Sequence, residues 1–277
     1  MLQVSELYIY PIKSMGGIPV KNVHVTDRGF EYDRRWMLVD ENNLFISQRE
    51  VPEMALIKIT VEEYGLKVTY LPLSSSLLVP FKPQTDEFAE MFIWDDTCTG
   101  QFVSAQADQW FSEMLAVNCR LVYMPDNSHR ITDQRYTPEN SITSFSDAYP
   151  FLIIGQSSLD DLNSRLAEAL PMNRFRPNIV FTGGKPFAED LMHSFTIGEM
   201  QFYGVKLCAR CIMPTIDQET IKQGKEPLKT LARYRFKNNK IMFGQNLVHE
   251  GTGEIAVGDE LCVLKLNDEE RFLMPSR

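Results

Sequence analysis

Long apolar segments and a secretory signal are both missing from this 277-residue chain. Its longer apolar stretches, such as residues 150–154, fall far short of the ~20 residues that a membrane-spanning helix needs. Residues 1–6 lack a basic region followed by an apolar core. The chain has only five cysteines, and free thiols suit a reducing compartment. We therefore expect a cytoplasmic protein that does not associate with membranes.

Positive charge is also scarce. The chain has 28 Lys and Arg residues against 37 Asp and Glu, for a formal net charge of -9. A chain this acidic does not present a general surface for nucleic acid or for anionic lipid, so we expect neither as a partner. Any anion that it binds must be held by a local group of basic side chains.

The sequence patterns of several enzyme classes are absent as well. The four histidines, His24, His129, His193 and His249, do not have the spacing of metal ligands relative to one another. The chain has no G-x-S-x-G nucleophile elbow and no G-x-G-x-x-G after a strand. Neither a triad hydrolase nor a dinucleotide enzyme is indicated.

Two of the five cysteines stand close together, in Cys208-Ala209-Arg210-Cys211. A neighbouring guanidinium favours the thiolate, which is the form that attacks electrophiles and binds soft metals. Packing thiols, half of a zinc site, a redox pair and a catalytic thiolate are the alternatives. Zinc is disfavoured because the other cysteines stand singly. An extended, proline-broken exit at residues 212–215 disfavours a thioredoxin-type pair, in which a helix follows.

Short strands separated by turns fill the first hundred residues. We predict strands at 2–12 and 20–25 and hairpins at 36–46 and 57–70. Regular short strands of this kind favour a barrel or a sandwich. The pattern then changes to a helix with Ser104 as its N-cap. Its apolar face is predicted to consist of Ala107, Trp110, Phe111, Met114 and Leu115.

Strands dominate again in the second half, where we also predict two helices. One helix starts with Ser158 as N-cap and runs to about Leu170, and the other covers 226–234. The polar segment 125–140 is a long functional loop or a linker, and it is the best candidate for a domain boundary. The predicted class is mainly β (α+β) with a few helices. The predicted strands lie at 121–123, 178–181, 194–197, 200–207, 241–243, 254–257 and 260–264.

Basic residues occur beside strand ends at two places in the first forty residues. Lys13 and Ser14 end a strand just before two glycines, and such a strand end can present charge and backbone N–H groups to a phosphate. Arg34 and Arg35 precede the strand that begins at Trp36, where alternation gives them opposite faces. One of the two can therefore face a site.

A third basic segment precedes the strand at 178–181. Alternation places Arg174 and Arg176 on one face, and Pro177 makes a position in the centre of a sheet improbable. Two guanidiniums that converge in this way repel each other unless an anion lies between them. This pair is the strongest basic signal in the chain.

The order of these segments resembles that of MOSC-domain proteins with an accompanying N-terminal β-barrel domain. The resemblance covers nearly the whole chain and implies a β-barrel domain at 1–122 packed on a MOSC β-barrel domain at 123–277. Within the family, the similar subgroup includes the mitochondrial amidoxime-reducing component and its bacterial counterparts. The matching segments are 10–14, 28–39, 48–49, 144–147, 157–163, 174–178, 189–190, 208–211, 226–228, 234–235 and 243–246.

The resemblance implies a molybdenum–pyranopterin cofactor with Cys211 as the protein ligand to the metal. Thiolate sulfur is a soft ligand that suits such a centre. Cys208 would then support the loop or take a redox role. Asp147 matches an acidic position near the metal, where it would orient substrate or relay protons. The implied cofactor contacts are Lys13, Ser14 and Arg34 to the pterin phosphate, together with Arg176 and Asn178.

The implied reaction is the two-electron reduction of a small N-hydroxylated substrate, from N–OH to N–H. The chain has no C-x4-C-x2-C pattern, so we expect no internal iron–sulfur cluster and a separate flavin or iron–sulfur protein as electron donor. Pyridoxal phosphate is not an expected cofactor. The alternative is a cofactor-binding or sulfur-carrier module that uses a Cys211 persulfide and lacks N-reductase activity. A plain binding domain with inert thiols is a third interpretation.

Overall fold

The computed structural model describes residues 1–137 and 140–267, and strands dominate this part of the chain. The mainly-β prediction is confirmed. The α-helices are α1 (Ala105–Leu115), α2 (Gln156–Asn163) and α3 (Leu228–Leu231). The first eleven strands are β1 (Leu2–Ile9), β2 (Ile18–Val20), β3 (Asn22–Thr26), β4 (Gly29–Phe30), β5 (Trp36–Val39), β6 (Ile57–Val61), β7 (Gly65–Tyr70), β8 (Ser75–Pro80), β9 (Phe88–Ile93), β10 (Asp96–Phe102) and β11 (Arg120–Tyr123). The others are β12 (Arg130–Ile131), β13 (Ile142–Thr143), β14 (Phe151–Gly155), β15 (Ile179–Thr182), β16 (Met192–Ile197), β17 (Met200–Ala209), β18 (Phe236–Lys237), β19 (Lys240–Glu250), β20 (Gly253–Ala256) and β21 (Glu260–Leu266).

Seven strands close into a barrel in the order β14-β15-β1-β21-β16-β17-β19, and β19 pairs back onto β14. The β14–β15 pair is parallel and the other pairs in the ring are antiparallel. Phe151, Phe181, Phe195 and Phe202 are fully buried in its core. Because β1 lies between β15 and β21, the sequence segments 1–122 and 123–277 share this one barrel.

Three smaller sheets contain the remaining paired strands of residues 22–123. Their orders are β5-β11-β10-β9, β6-β7-β8 and β4-β3-β20, and β20 comes from the C-terminal half. Helix α1 is confirmed, since the Ser104 hydroxyl accepts a hydrogen bond from Ala107 N at 3.1 Å and Phe111 packs in the same core as Trp36. The second arm of the predicted hairpin at 36–46 is reduced to a single bridge between Phe45 and Val39, and the extended partner of β5 is β11.

The other two helices are shorter than predicted. Helix α2 begins after Gly155 and ends at Asn163, well before Leu170. Ser158 is not its N-cap, because the hydroxyl donates to Glu189 Oε2 at 2.9 Å and accepts from the backbone N of Phe187 at 2.8 Å.

Helix α3 covers Leu228–Leu231 instead of 226–234. Turns follow the helix up to Arg235, whose backbone N donates to Leu231 O at 2.7 Å and whose buried guanidinium donates to the buried carboxylate of Asp190 at 2.6 Å. Helical periodicity does not distinguish such turns from a regular helix, so it overestimates the length of the element.

The polar segment 125–140 is partly ordered by a buried arginine. Arg28 donates to the carbonyls of Pro125, Asp126 and Ser128, and β12 pairs with β13 further along. Residues 138 and 139 of this segment lie outside the described part of the chain. No helix in the described part is long and apolar enough to cross a membrane.

Candidate functional site

A cavity of about 270 Å³ collects side chains from both halves of the chain. All the residues to which the family resemblance gave a site role line it, although the first and last of them are nearly two hundred positions apart. These residues are Lys13, Ser14, Arg34, Asp147, Arg176, Asn178 and Cys211.

We call Lys13, Ser14, Arg34 and Arg176 the basic floor of the cavity. Lys13 follows strand β1 and is tied to β5 by a bond from its backbone N to Trp36 O at 2.8 Å. Its ammonium donates to Phe145 O at 2.8 Å and to Asp147 Oδ1 at 2.5 Å. The side chain is only about 5% exposed, and this burial lowers the pKa of Lys13 to about 8 in spite of the nearby carboxylate.

The two arginines of the floor are held against one aromatic ring. The guanidiniums of Arg34 and Arg176 each lie 4.3 Å from the ring centroid of Tyr10. Arg34 also donates to Asp33 Oδ2 at 2.6 Å, and Arg176 donates to Met15 O at 2.7 Å. Burial lowers the pKa of Arg176 to about 10. Two cations are therefore concentrated at one wall of the cavity.

Three of the four floor residues have a left-handed backbone. The φ angles of Ser14, Arg34 and Arg176 are 66°, 50° and 56°. For residues other than glycine this conformation costs about 1–2 kcal/mol each, and strain of this kind concentrates at ligand sites. The side chains of these three residues line the cavity. Strand alternation assumes extended backbone, so it cannot predict the direction of side chains on left-handed residues.

The predicted convergence of Arg174 with Arg176 is wrong. Arg174 lies in the 3-10 turn Met172–Arg174 and donates to Pro214 O at 3.0 Å and to Asp217 Oδ2 at 2.7 Å, and it does not line the cavity. Alternation does not apply here because β15 starts only at Ile179. The expectation for Arg34 and Arg35 is confirmed, since Arg34 lines the cavity while Arg35 donates to Asp126 on the surface.

Asn178 holds the floor in place from behind. Its side-chain oxygen accepts from Arg34 Nη1 at 3.0 Å and from Leu152 N at 3.3 Å, and its amide donates to Tyr8 O at 3.2 Å. Only 1% of the residue is exposed. Its polar groups are thus engaged within the protein, and Asn178 fixes the position of the Arg34 guanidinium.

We call Arg49, Asp147 and Cys211 the thiol rim. Cys211 is exposed, and Arg49 Nη2 donates to its sulfur at 3.3 Å. The Arg49 guanidinium also lies 4.6 Å from the ring centroid of Trp94 and 3.5 Å from Asp147 Oδ2. The role of Arg49 was not predicted, because its partner stands 162 positions away. The pair Gln48-Arg49 among the family-like segments was the only signal for it.

The arginine inside the C-x-x-C pair contacts the other thiol. Arg210 Nη1 donates to Cys208 Sγ at 3.2 Å, and Nη2 donates to Phe175 O at 2.7 Å. Burial raises the pKa of Cys208. The exit after Cys211 is a short 3-10 turn, Met213–Thr215, and not the extended segment that was predicted. The two thiols are therefore unequal: one is partly buried beside Arg210 and the other is open beside Arg49.

Asp147 remains a carboxylate at the rim. Desolvation would raise its pKa, but the charge and hydrogen bond of Lys13 and the charge of Arg49 hold that pKa well below the usual range. Its side chain is 60% exposed. Arg130, which sequence reasoning missed, donates to the carbonyls of Ser144, Ser146 and Asp147 and thereby shapes this loop.

The side chains that line the cavity suit an anion, and they suit a soft metal only if a cofactor supplies most of the metal's ligands. Seven basic side chains line it, against a single carboxylate. In the described residues, Arg49 Nε, Arg210 Nε and the Tyr149 hydroxyl are buried without a hydrogen-bond partner. The same part of the chain has no group of three His, Cys, Asp or Glu side chains that could hold a metal ion. A metal here would need donors from a cofactor in addition to Cys211.

Comparison with protein families gives two adjacent matches. The model described as the MOSC domain matches residues 140–262, and the model described as the MOSC N-terminal beta barrel domain matches residues 1–118. Mitochondrial amidoxime-reducing component 1 of Mus musculus is 34% identical over 94% of this chain and 82% of its own length. Its Homo sapiens counterpart is 33% identical with the same coverage.

Two further comparisons extend beyond these reductase components. The molybdenum cofactor sulfurase of Oryza sativa subsp. japonica is 32% identical over 95% of this chain, which spans 35% of that longer protein. Among solved structures, the YuaD protein from Bacillus subtilis superposes with a TM-score of 0.40 at 11% identity, over 94% of each chain.

Proposed function

Because the chain belongs to the MOSC domain family, we propose that it is a molybdenum-cofactor-dependent reductase of small N-hydroxylated compounds. The observation that carries this proposal is the placement of one exposed thiol, Cys211, at a cavity whose opposite wall is built from buried cations. The curated relatives named as amidoxime-reducing components support the choice of reaction.

The residues present fit the cofactor. The basic floor offers two guanidiniums, an ammonium and a hydroxyl to a phosphate, and charge-assisted bonds of this kind are the strong ones. Cys211 offers one soft ligand, and the unpartnered Arg49 Nε and Arg210 Nε are donors that a bound group could satisfy. When bound, the cofactor would supply the two electrons that break the N–O bond.

The chain's own residues would orient the substrate and manage protons. Conversion of N–OH to N–H with release of water consumes two electrons and two protons. Asp147, held as a carboxylate, accepts a hydrogen bond from an N–H group of the substrate. Lys13 Nζ, 2.5 Å from Asp147 Oδ1 and with a pKa lowered to about 8, holds a proton that it can release near neutral pH. Electrons come from a separate flavin or iron–sulfur protein.

The test is a joint measurement of metal and turnover. The protein is purified from cells able to make the cofactor, its molybdenum content is measured, and an amidoxime is offered with a chemical reductant. We expect molybdenum and formation of the amidine, and loss of both in Cys211→Ser. Cys262→Ser is the matched control, because Cys262 is an exposed thiol outside the cavity. Absence of both molybdenum and turnover from the wild-type protein would refute the proposal.

A second candidate is a sulfur carrier in which Cys211 holds a persulfide. The exposed Cys211 sulfur and the likeness to molybdenum cofactor sulfurases favour it. Mass spectrometry of the intact protein would then show added sulfur that disappears in Cys211→Ser, and metal-loaded protein would not reduce amidoximes. An amidoxime reductase activity in loaded protein decides against this candidate.

A further inference from the structure

Five side chains at and beside the thiol rim contact one another in a closed ring. The ring centroid of Trp94 lies 4.6 Å from the Arg49 guanidinium and 4.9 Å from the ring centroid of Phe45. The Lys13 ammonium in turn lies 5.0 Å from the Phe45 centroid. Asp147 completes the ring, since its carboxylate lies 2.5 Å from Lys13 and 3.5 Å from Arg49. Two aromatic side chains thus support the two cations that hold Asp147.

The polar contacts of the Arg49 guanidinium with oxygen are long. Its nitrogens lie 3.4 Å from the Ser47 hydroxyl and 3.5 Å from the Asp147 carboxylate. Hydrogen bonds from nitrogen to oxygen are usually about 2.7–3.2 Å long, so both contacts are weak. In the described part of the chain, Arg49 Nε is buried without a hydrogen-bond partner. The contact with the Trp94 ring is therefore a main restraint on the position of this guanidinium.

Trp94 is an unusual residue for its place in the hairpin of β9 and β10. Together with Asp95 it forms the turn between Ile93 and Asp96, which pair with each other. The φ angle of Trp94 is 56°, a left-handed conformation that suits glycine and that bulky residues seldom adopt. Trp94 is also 51% exposed, so it adds little to the core. Backbone strain at an exposed residue points to a function instead of a role in folding.

We propose that Trp94 is a positioning residue of the thiol rim, which holds the Arg49 guanidinium against the Cys211 sulfur and the Asp147 carboxylate. This inference rests on the proposed reductase function. Phe45 packs against a hydrophobic core and contacts Trp94 edge to face, which fixes the indole relative to that core. Without the indole, the guanidinium would be free to turn away from the rim, and Asp147 would keep Lys13 as its partner.

The test is a double-mutant cycle on amidoxime turnover by molybdenum-loaded protein with a chemical reductant. Trp94→Ala should lower kcat/KM about fivefold, as expected for the loss of one cation–π contact. It should lower kcat/KM no further in protein that already carries Arg49→Gln, because Trp94 acts through Arg49. Trp94→Phe keeps an aromatic ring and should stay within about twofold of the wild type.

Two further variants separate positioning from an effect on the fold. Trp94→Gly removes the ring but suits the left-handed backbone, so this variant should fold and show the same loss of kcat/KM as Trp94→Ala. The matched control is Phe88→Ala, because Phe88 is 52% exposed and lies at the other end of β9, outside the cavity. This variant should keep the kcat/KM of the wild type.

The order of the Arg49 side chain gives a readout that does not depend on turnover. In cofactor-free protein with 15N-labelled arginine, the Arg49 Nε–H signal is identified by its absence from Arg49→Gln. Its heteronuclear NOE reports the motion of this group on the ps–ns timescale. We expect a value near that of the backbone in the wild type and in Trp94→Phe, and a clearly lower value in Trp94→Ala and Trp94→Gly.

Two results would overturn the inference. One is an Arg49 side chain that is as ordered in Trp94→Ala as in the wild type. The other is a pair of losses that multiply to about fiftyfold in the Trp94→Ala, Arg49→Gln double variant, which would mean that Trp94 acts independently of Arg49. Absence of turnover from loaded wild-type protein would instead refute the reductase proposal, and the NMR comparison would still decide whether Trp94 holds Arg49.

Discussion

The basic floor and the thiol rim share one cavity, but the structure holds them in different ways. The Arg34 guanidinium of the floor is bonded to a buried carboxylate and a buried amide, and that of Arg176 to a backbone carbonyl. At the rim, Cys211 is exposed, and its sulfur contacts an arginine that comes from a distant part of the chain. The floor is built as a fixed binding surface, while the rim leaves one reactive atom open.

Lys13 connects the two regions, since its ammonium belongs to the floor and bonds to Asp147 at the rim. Because the floor residues are hydrogen-bonded to buried groups while Cys211 is exposed, substitutions in the two regions should have different effects on activity and stability. Changes at the rim should remove chemistry and leave the fold intact, whereas changes at the floor should destabilise the fold itself.

Cys211→Ser tests the rim most severely. Loss of the proposed metal ligand should lower both molybdenum content and amidoxime turnover by at least about a hundredfold, because even the loss of residues that only support a ligand costs 10–100-fold. When both proteins are compared in the cofactor-free form, the free energy of unfolding in urea should change by less than about 0.5 kcal/mol, since the side chain is exposed. A variant that unfolds readily, or one that retains molybdenum, would contradict the division between rim and floor.

Arg34→Ala tests the floor. Removal of the guanidinium leaves the Asp33 carboxylate buried without its ion partner, which should cost about 3–5 kcal/mol of unfolding free energy. Urea unfolding followed by tryptophan fluorescence measures the change. The control is Arg165→Ala, which removes a half-exposed ion pair with Asp161 and a contact with the Tyr234 ring just beyond helix α2, and it should cost only about 1 kcal/mol. Equal effects of the two substitutions would show that the floor does not support the fold.

Arg49→Gln should weaken the rim without removing its reactive atom. The guanidinium contacts the Cys211 sulfur and orients Asp147, so we expect amidoxime turnover to fall about tenfold. Alkylation of Cys211 by iodoacetamide, followed by mass spectrometry, should also become slower in the cofactor-free protein. Arg49→Lys should recover part of both rates. Unchanged alkylation in Arg49→Gln would mean that the contact does not influence the thiol.

A smaller effect concerns the pH dependence of anion binding at the floor. The pKa of Lys13 is lowered to about 8, so its ammonium is charged below that pH and loses its proton above it. Sulfate keeps the same charge over this range. Its affinity for the cofactor-free protein should therefore fall as the pH rises from 7 to 9.5, by up to about tenfold. The midpoint should lie somewhat above 8 because a bound anion stabilises the ammonium.

Lys13→Met is the control for this titration. It should bind sulfate weakly at every pH and lose most of the pH dependence. A wild-type affinity that stays constant up to pH 9.5 would show that the Lys13 charge does not contribute to the floor.

Much of the fold was predictable because it depends on local patterns. Helix α1, with Ser104 at its start, and most strands of the second half follow from capping chemistry and alternation. The shorter helices were not predictable, because helical periodicity does not distinguish turns from a regular helix. Ser158 bonds to Glu189 instead of capping α2, and turns lie between α3 and Arg235.

The residues of the candidate site were predictable to a similar degree. The motifs point to side chains such as Lys13, Arg34 and Cys211, which the fold brings to one cavity. Their partners were not visible, because the Arg49–Cys211 contact joins positions 162 apart and the left-handed backbone at Arg176 cancels the alternation that paired it with Arg174.

The position of β1 in the barrel has a consequence for how the molecule assembles. Leu2 pairs with Leu261, and Val4 pairs with Phe181, so β1 cannot complete the ring until β21 has been synthesised. Contacts that are so far apart in sequence make folding slow. A growing chain therefore exposes Lys13 and Arg34 long before the barrel exists to hold them. The capacity to bind an anion is acquired late in synthesis, when ring closure completes both the fold and the cavity.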